Sequence, residues 1–234
     1  MHAWEAVQKS VDYIEEHLQE NIRAEALAEI IGLSPFYFQR LFKRLVNKPL
    51  QEYVKLRRLA KAVEALNTEN QRILDVALDY GFASHANFTR AFKGAFGITP
   101  EAYKKNRPFL NTFVKPEVSM AYVMVDENVP LIVGNIVLEI RRERIHAPEL
   151  YLGLSTDVSI IEQTPVGEST GVDIPGQLWK RYHQEKAAIE KYVQPNVELG
   201  MSYSANMEKG TFSYFAGGLA KTVPENLSGG FVPV

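Results

Sequence analysis

With 234 residues the chain is long enough for one large domain or two ordinary ones, each with its own core. Its apolar and charged fractions are those of a soluble globular protein. No apolar run reaches the ~18 residues that span a bilayer, and Met1–Glu5 lacks the basic and apolar regions of a secretion signal, so a cytoplasmic protein is expected.

The absence of cysteine excludes disulfides, thiolate zinc sites and thiol nucleophiles. The histidines (His2, His17, His85, His146, His183) form no i, i+4 pair and no HExxH, so no metal site is expected, and since neither Gly217–Gly218 nor Gly229–Gly230 forms a GxGxxG or P-loop no other cofactor is expected. The net charge of −2 hides a gradient. Residues 1–39 carry a net −5, residues 40–107 a net +8 and residues 108–234 a net −5. A basic block between acidic ones suits a polyanionic partner or simply a solvated helical face, and charge alone leaves both open.

In chain order, Trp4, Val7, Val11, Ile14 and Leu18 recur at helical spacing and mark one apolar face. Ile22–Ile31 reads as a short helix closed by Gly32. Ser34 and Pro35 then supply an N-cap and a first helical residue for a helix from Phe36 to about Val46. Two short helices around a tight glycine turn predict a helix-turn-helix. The pattern recurs fifty residues on, where Ala77 and Gly81 end one helix and Ser84 caps another that runs to about Phe96. Aligning the serines pairs Phe38 with Phe88, Arg40 with Arg90, Phe42 with Phe92 and Lys43 with Lys93. The phenylalanines at i and i+4 are expected in the core and the basic residues outside. Between the repeats, Leu50–Leu66 predicts a 17-residue helix, a rod of roughly 25 Å. Such a rod suits two recognition helices set about 34 Å apart, one turn of B-DNA.

The stretch GLSPFYFQRLFKRLVNKPLQEYVKLRRLAKAVEAL, with DVALDYGFASHANFTRAFKGAFGITPEAYKK after it, resembles the DNA-binding domain of the AraC/XylS family of bacterial regulators over residues 8–106. Asn47 stands where glycine is usual, a small departure because Asn tolerates the left-handed conformation. Ala86 brings no hydrogen-bonding group where a polar residue is common. The resemblance implies that the N-terminal halves of Phe36–Val46 and His85–Phe96 enter the grooves of double-stranded DNA. On the first helix, Gln39 and Arg40 are the candidates for reading adenine and guanine edges. Phe36 would pack on a thymine methyl, while Lys43 and Arg44 would hold phosphates. On the second, His85, Asn87 and Thr89 would meet bases, Arg90 a base or a phosphate, and Lys93 occupies the position of Lys43. Arg90 also admits a structural reading, as an ion-pair residue between the halves. Ser34 and Ser84 mark helix N-termini suited to phosphate.

Beyond Pro108 the composition turns strand-like over Val118–Val125, Ile136–Arg142, Leu150–Ser155, Val197–Ser204 and Thr211–Phe215. A helix is expected from about Gly176 to Val193, and Gly217–Gly218 and Gly229–Gly230 read as turns. The expected fold is therefore multi-domain: an all-α N-terminal domain with two helix-turn-helix motifs on a linker helix, then an α+β domain with a mostly antiparallel sheet. The segments are a DNA-binding domain over 1–107, a linker and first strand over 108–134, and a C-terminal domain over 135–234.

The run from Asn135 through the Trp179 helix to Tyr203 resembles the first half of a GyrI-like effector-binding domain. The resemblance implies a bulky lipophilic or cationic effector and an incomplete second half, with homodimerisation through an open sheet edge as one completion. Tyr151, Trp179, Tyr182, Tyr203 and Tyr214 are candidates for a stacking wall, with Glu198 or Glu168 favouring a cation. Ordinary core packing is the competing reading of the same aromatics. The leading expectation is a ligand-responsive transcription regulator that acts on DNA as a monomer or dimer, with RNA polymerase as a further partner and no membrane association. It is expected not to be an enzyme. The alternatives are a small-molecule hydrolase or a protein-docking module on a DNA-binding domain. Alkyl-repair methyltransferases also carry AraC-like units, but their chemistry needs a cysteine acceptor.

Overall fold

Helical periodicity in the first hundred residues produces, among the described residues, seven helices: α1 Ala3–Glu16, α2 Ala24–Ile30, α3 Pro35–Val46, α4 Leu50–Leu66, α5 Ile73–Asp79, α6 His85–Phe96 and α7 Pro100–Asn106. The computed structural model describes residues 3–68, 71–118, 127–133, 136–142, 144, 147–159, 170–206, 208–224, 227 and 229–234. The chain divides into two compact units, a helical one drawn mainly from the first 143 residues and an α+β one drawn mainly from the rest. No helix among the described residues is long and apolar enough to cross a membrane.

The helical unit has two cores strung along α4. The first gathers Val7, Val11 and Ile14 of α1, Leu27 of α2, Phe38 and Phe42 of α3, and Tyr53 of α4. The second gathers Leu59, Val63 and Leu66 of α4 with Val76, Phe88, Phe92 and Tyr103 from α5, α6 and α7. After α7 the chain contributes a two-residue strand, β1 Leu110–Asn111, and then places Phe113 and Val118 in the first core, each 1 % exposed. A segment expected to link domains is thus a packed strap on α1 and α4. The Val118 N–H donates to Gln8 Oε1 (2.7 Å) and Lys115 pairs with Asp12 (2.5 Å). A short ribbon of β2 Leu131–Val133 and β3 Ile136–Leu138 follows. The strand expected over Val118–Val125 lies outside the described residues beyond Val118, as do Asn135 and Glu168.

The strand β5, Gly171–Val172, stands at the division between the units, and the C-terminal unit holds β4 Tyr151–Ser159, α8 Ile174–Glu185, β6 Val193–Asn206, β7 Thr211–Ala220 and β8 Val232–Pro233. One sheet runs β6-β7-β4-β8 with every pairing antiparallel. Helix α8 covers one face, where Leu178 and Tyr182 pack on Leu152, Leu154 and Ala216. The helix expected to reach Val193 instead ends at Glu185 and gives way to two 3-10 turns, Lys186–Ala188 and Glu190–Tyr192. Tighter turns of three residues carry Ile189 and Tyr192 to the same side, against the sheet.

The expected turn at Gly217–Gly218 is instead the middle of β7. Its glycines serve close approach. A Cβ on Gly217 would lie 2.4 Å from the Phe215 ring, and one on Gly218 would lie 3.0 Å from the Tyr182 hydroxyl. Gly229 and Gly230 do form a turn, with φ of +74° and +77°.

Candidate nucleic-acid interface

The two helix-turn-helix elements repeat atom for atom. In the first, the Leu33 N–H donates to Ala28 O (2.9 Å) and the Gly32 N–H to Glu29 O (3.1 Å). In the second, the Phe82 N–H donates to Ala77 O (2.9 Å) and the Gly81 N–H to Leu78 O (3.0 Å). Both glycines have left-handed φ, +69° and +72°, which satisfies the last carbonyls of each first helix. Ser34 Oγ then accepts from the Tyr37 N–H (3.3 Å) and Ser84 Oγ from the Asn87 N–H (3.2 Å). In both elements the i, i+4 phenylalanines meet edge to face at 5.6 Å and are fully buried. Burying one face of each helix presents the opposite face to solvent, and that face carries the predicted residues.

On α3, Phe36 is 72 % exposed, and the Arg40 guanidinium lies over its ring at 5.7 Å. Gln39, Lys43 and Arg44 are exposed along the same side. Tyr37 stands exposed beside Phe36 at the front of the helix. On α6, His85 is exposed and pairs with Glu101 at 3.0 Å. Asn87 and Arg90 are exposed and bonded to each other, the guanidinium donating to the Asn87 carbonyl oxygen. Lys93 is exposed one turn further on. Thr89 differs from its neighbours: its hydroxyl is enclosed and makes no hydrogen bond among the described residues. It therefore does not present a polar group to the outside beside Asn87 and Arg90.

Two arginines of α4 that sequence reasoning missed add polar ties across the helical unit. Arg57 donates from Nε to Glu15 Oε1 (2.8 Å) and from Nη2 to Glu15 Oε2 (2.7 Å), and its Nη1 donates to Phe113 O. The Tyr53 hydroxyl donates to Glu15 Oε1 (2.8 Å). Burial pushes the Glu15 carboxyl up, but the hydrogen bonds from Arg57 and Tyr53 and the Arg57 charge outweigh it and hold the group below its ordinary value. Burial, with the Glu15 charge and hydrogen bond, pushes the Tyr53 phenol well above its ordinary range, so it stays a neutral donor. Arg58, the next residue, reaches the carbonyls of Leu18 and Glu20.

In the C-terminal unit the candidate wall divides between the two sheet faces. Trp179, Tyr182, Tyr214 and Glu198 gather on the α8 side. There the Trp179 indole donates to the Tyr214 hydroxyl (3.2 Å), Trp179 stacks on His183 at 5.4 Å, and Gly200 leaves room for the Trp179 ring and the Tyr214 hydroxyl. Glu198 accepts from Lys186 Nζ (2.9 Å) and faces His183 Nε2 at 3.8 Å. Tyr182 is buried, and its phenol is pushed up to about 12 by burial and the Glu198 charge. Together with Lys221 and Asn196, Tyr182, His183 and Glu198 line a cleft of about 440 Å³. Tyr203 lies on the opposite face, its hydroxyl bonded to Ser155 Oγ (2.8 Å), and Tyr151 pairs with Leu219 there while bonding Glu149.

The model of the helix-turn-helix domain family matches residues 27–106. The uncharacterized HTH-type transcriptional regulator YbfP of Bacillus subtilis is 41% identical over 113 residues, which are 48% of this chain and 37% of that protein. The probable transcription factor PqrA of Proteus vulgaris is 42% identical over 96 residues, 40% of this chain and 79% of its own. The regulatory protein SoxS of Salmonella typhimurium is 34% identical over 98 residues, 42% of this chain and 92% of its own. The family model falls on the segment that holds the two helix-turn-helix elements, and the chain belongs to the AraC/XylS family of helix-turn-helix transcription regulators.

Proposed function

We propose that the chain reads an asymmetric DNA site as a monomer, inserting the exposed faces of α3 and α6 into successive major grooves. A C-terminal domain that senses a bulky small molecule completes the proposal. The observation that carries the DNA reading is the repetition of one turn geometry on a single 17-residue rod, with Phe36, Gln39 and Arg40 exposed on one copy and His85, Asn87 and Arg90 on the other. Arg40 and Gln39 read base edges, bidentate to guanine and adenine respectively. Lys43, Arg44 and Lys93 neutralise phosphates, and the capped N-termini at Ser34 and Ser84 add backbone donors. Because Asn87 Oδ1 already accepts from Arg90, the second helix meets DNA with its polar pair pre-oriented.

Binding of a defined duplex by the full chain tests the phosphate assignments. Lys43→Ala lowers the slope of log affinity against log salt by about 1 and leaves the preferred sequence unchanged. A changed preference with an unchanged slope would move Lys43 to the base-reading set.

For the sensor, the support is the Trp179, Tyr182 and His183 cluster beside Glu198 and the cleft next to it. Glu198 already has Lys186 for a partner, so a cationic effector would have to displace that lysine, whereas a flat aromatic one needs only the ring faces. Titration of a Trp4→Phe chain with tetraphenylphosphonium and with a neutral polycyclic aromatic separates the two. Saturable quenching of Trp179 by either supports a sensor, and linear quenching by both refutes it.

A further inference from the structure

Arg58 stands at the middle of α4, half-buried, with its guanidinium facing both helix-turn-helix elements. Toward the first, Nε donates to Leu18 O (2.8 Å) and Nη2 to Glu20 O (2.6 Å), in the turn that leads from α1 into α2. Toward the second, the guanidinium lies flat on the turn between α5 and α6. A Cβ built on Gly81 would sit 3.0 Å from Nη1, 3.1 Å from Cζ and 3.2 Å from Nη2. Near-equal distances to three atoms of one plane place the glycine over the face of the group rather than at its edge.

Gly32 occupies the same position in the first element, and nothing among the described residues lies within 4 Å of its equivalent point. The two turns share their backbone conformation and their hydrogen bonds. What distinguishes the second is the planar cation seated against it. Two carbonyl bonds fix the orientation of that plane, because the guanidinium donors form a rigid fork. Fixing the plane fixes where the Gly81 turn rests. Three residues later Ser84 caps α6, and four residues after Glu20 α2 begins. One side chain therefore touches the entry to the first element and the turn inside the second.

We propose that Arg58 is a positioning residue that sets the placement of α6 relative to α3, and with it the separation between DNA boxes that the chain accepts. The proposal rests on the two-groove reading above. A one-base-pair change moves a box by ~3.4 Å along the axis, more than a turn seated on a fixed plane can follow. Lysine keeps the charge but has no plane, so it does not substitute.

The test is competition binding by the full chain on duplexes whose two boxes keep their sequence while their separation is the selected one, one base pair shorter or one longer. The wild-type chain is expected to lose at least about tenfold at either altered spacing, a coupling of ordinary size. Arg58→Ala, Arg58→Lys and Gly81→Ala flatten that penalty to below about threefold while the base preference inside each box persists. Gly32→Ala strains an equivalent turn but retains the spacing penalty. Arg58 variants that weaken all three duplexes in parallel overturn the proposal, as does Gly32→Ala behaving like Gly81→Ala. A wild-type chain indifferent to spacing refutes the two-groove reading itself, and the positioning role with it.

Denaturant unfolding gives a second readout should a variant bind no DNA. Gly81→Ala is expected to destabilise more than Gly32→Ala in the Arg58 chain and equally in an Arg58→Ala background. A difference that survives removal of Arg58 overturns the contact as its cause.

Discussion

Replacing Glu15 with glutamine should unfold the helical domain far more readily than an ordinary surface change, and the structure gives the size. The Glu15 carboxylate accepts three hydrogen bonds, two from Arg57 and one from Tyr53. The two ion-pair side chains are only 9 % and 14 % exposed. Glutamine keeps the shape but takes from Arg57 its hydrogen-bonded counter-ion, and removing one partner of a buried pair costs about 3–5 kcal/mol. At ~4–8 °C per kcal/mol for a domain of this size, the melting temperature falls by at least about 12 °C.

The assay is urea unfolding followed by Trp4, which packs on the first core, in a Trp179→Phe background so that the other domain is silent. Replacing Glu15 with leucine and Arg57 with methionine together should cost less than Glu15→Gln alone, because no orphan charge remains. The pH dependence is equally specific. The folded Glu15 carboxyl lies below its ordinary value, so its contribution is complete above the unfolded carboxylate pKa of about 4.3 and is lost as pH falls through the lower folded value. The gap between wild type and Glu15→Gln should therefore be constant from neutrality to about pH 5 and narrow below about pH 4. A Glu15→Gln chain within 1 kcal/mol of wild type, or a gap that persists unchanged in acid, refutes the reasoning.

Phe113→Ala should destabilise the helical domain by about 3–5 kcal/mol, as for a large core aromatic, and a truncation that ends at residue 107 should lose a similar amount; equal stability with and without the strap in the same unfolding assay would remove it from the core. Ser84→Ala should cost about 1 kcal/mol by loss of its cap and weaken DNA binding without altering sequence preference, measured by anisotropy on one duplex and its single-base variants. Gly217→Ala forces a methyl to within 2.4 Å of the Phe215 ring, so the C-terminal domain should unfold at lower denaturant by Trp179 fluorescence while Trp4 reports no change. Asn47→Gly should be neutral or slightly stabilising, since Asn47 already holds a φ of +59°.

What the sequence made legible was local. Ser34 with Pro35, Ser84, Gly32, Gly81 and Asn47 are punctuation whose meaning depends on a few neighbours, and each stands in the structure where its chemistry places it. The 17-residue rod was legible for the same reason. The ties between elements were not. Arg57 and Glu15 are 42 residues apart, and nothing short-range announces that they pair. A partial signal existed, because Arg57 falls on the helical stripe of Leu50, Tyr53 and Val54, where a charge implies a buried partner.

The C-terminal half was harder because its glycines act at long range. Gly217 and Gly218 resemble a turn pair until Phe215 and Tyr182 are seen to need the space. Tyr203 stands five residues from Glu198 on the same strand, and the alternation of strand side chains already placed the two on opposite faces.

The measurement that bears most directly on the account is selection of bound sequences from random duplex DNA by the full chain at near-physiological salt, repeated with Arg40→Ala. The expected result is an asymmetric motif of two boxes about one helical turn apart. The substitution blurs one base pair of one box, at a cost of about 1–3 kcal/mol, and leaves the other box sharp. No enriched motif, or a uniform loss across all sequences with Arg40→Ala, contradicts it.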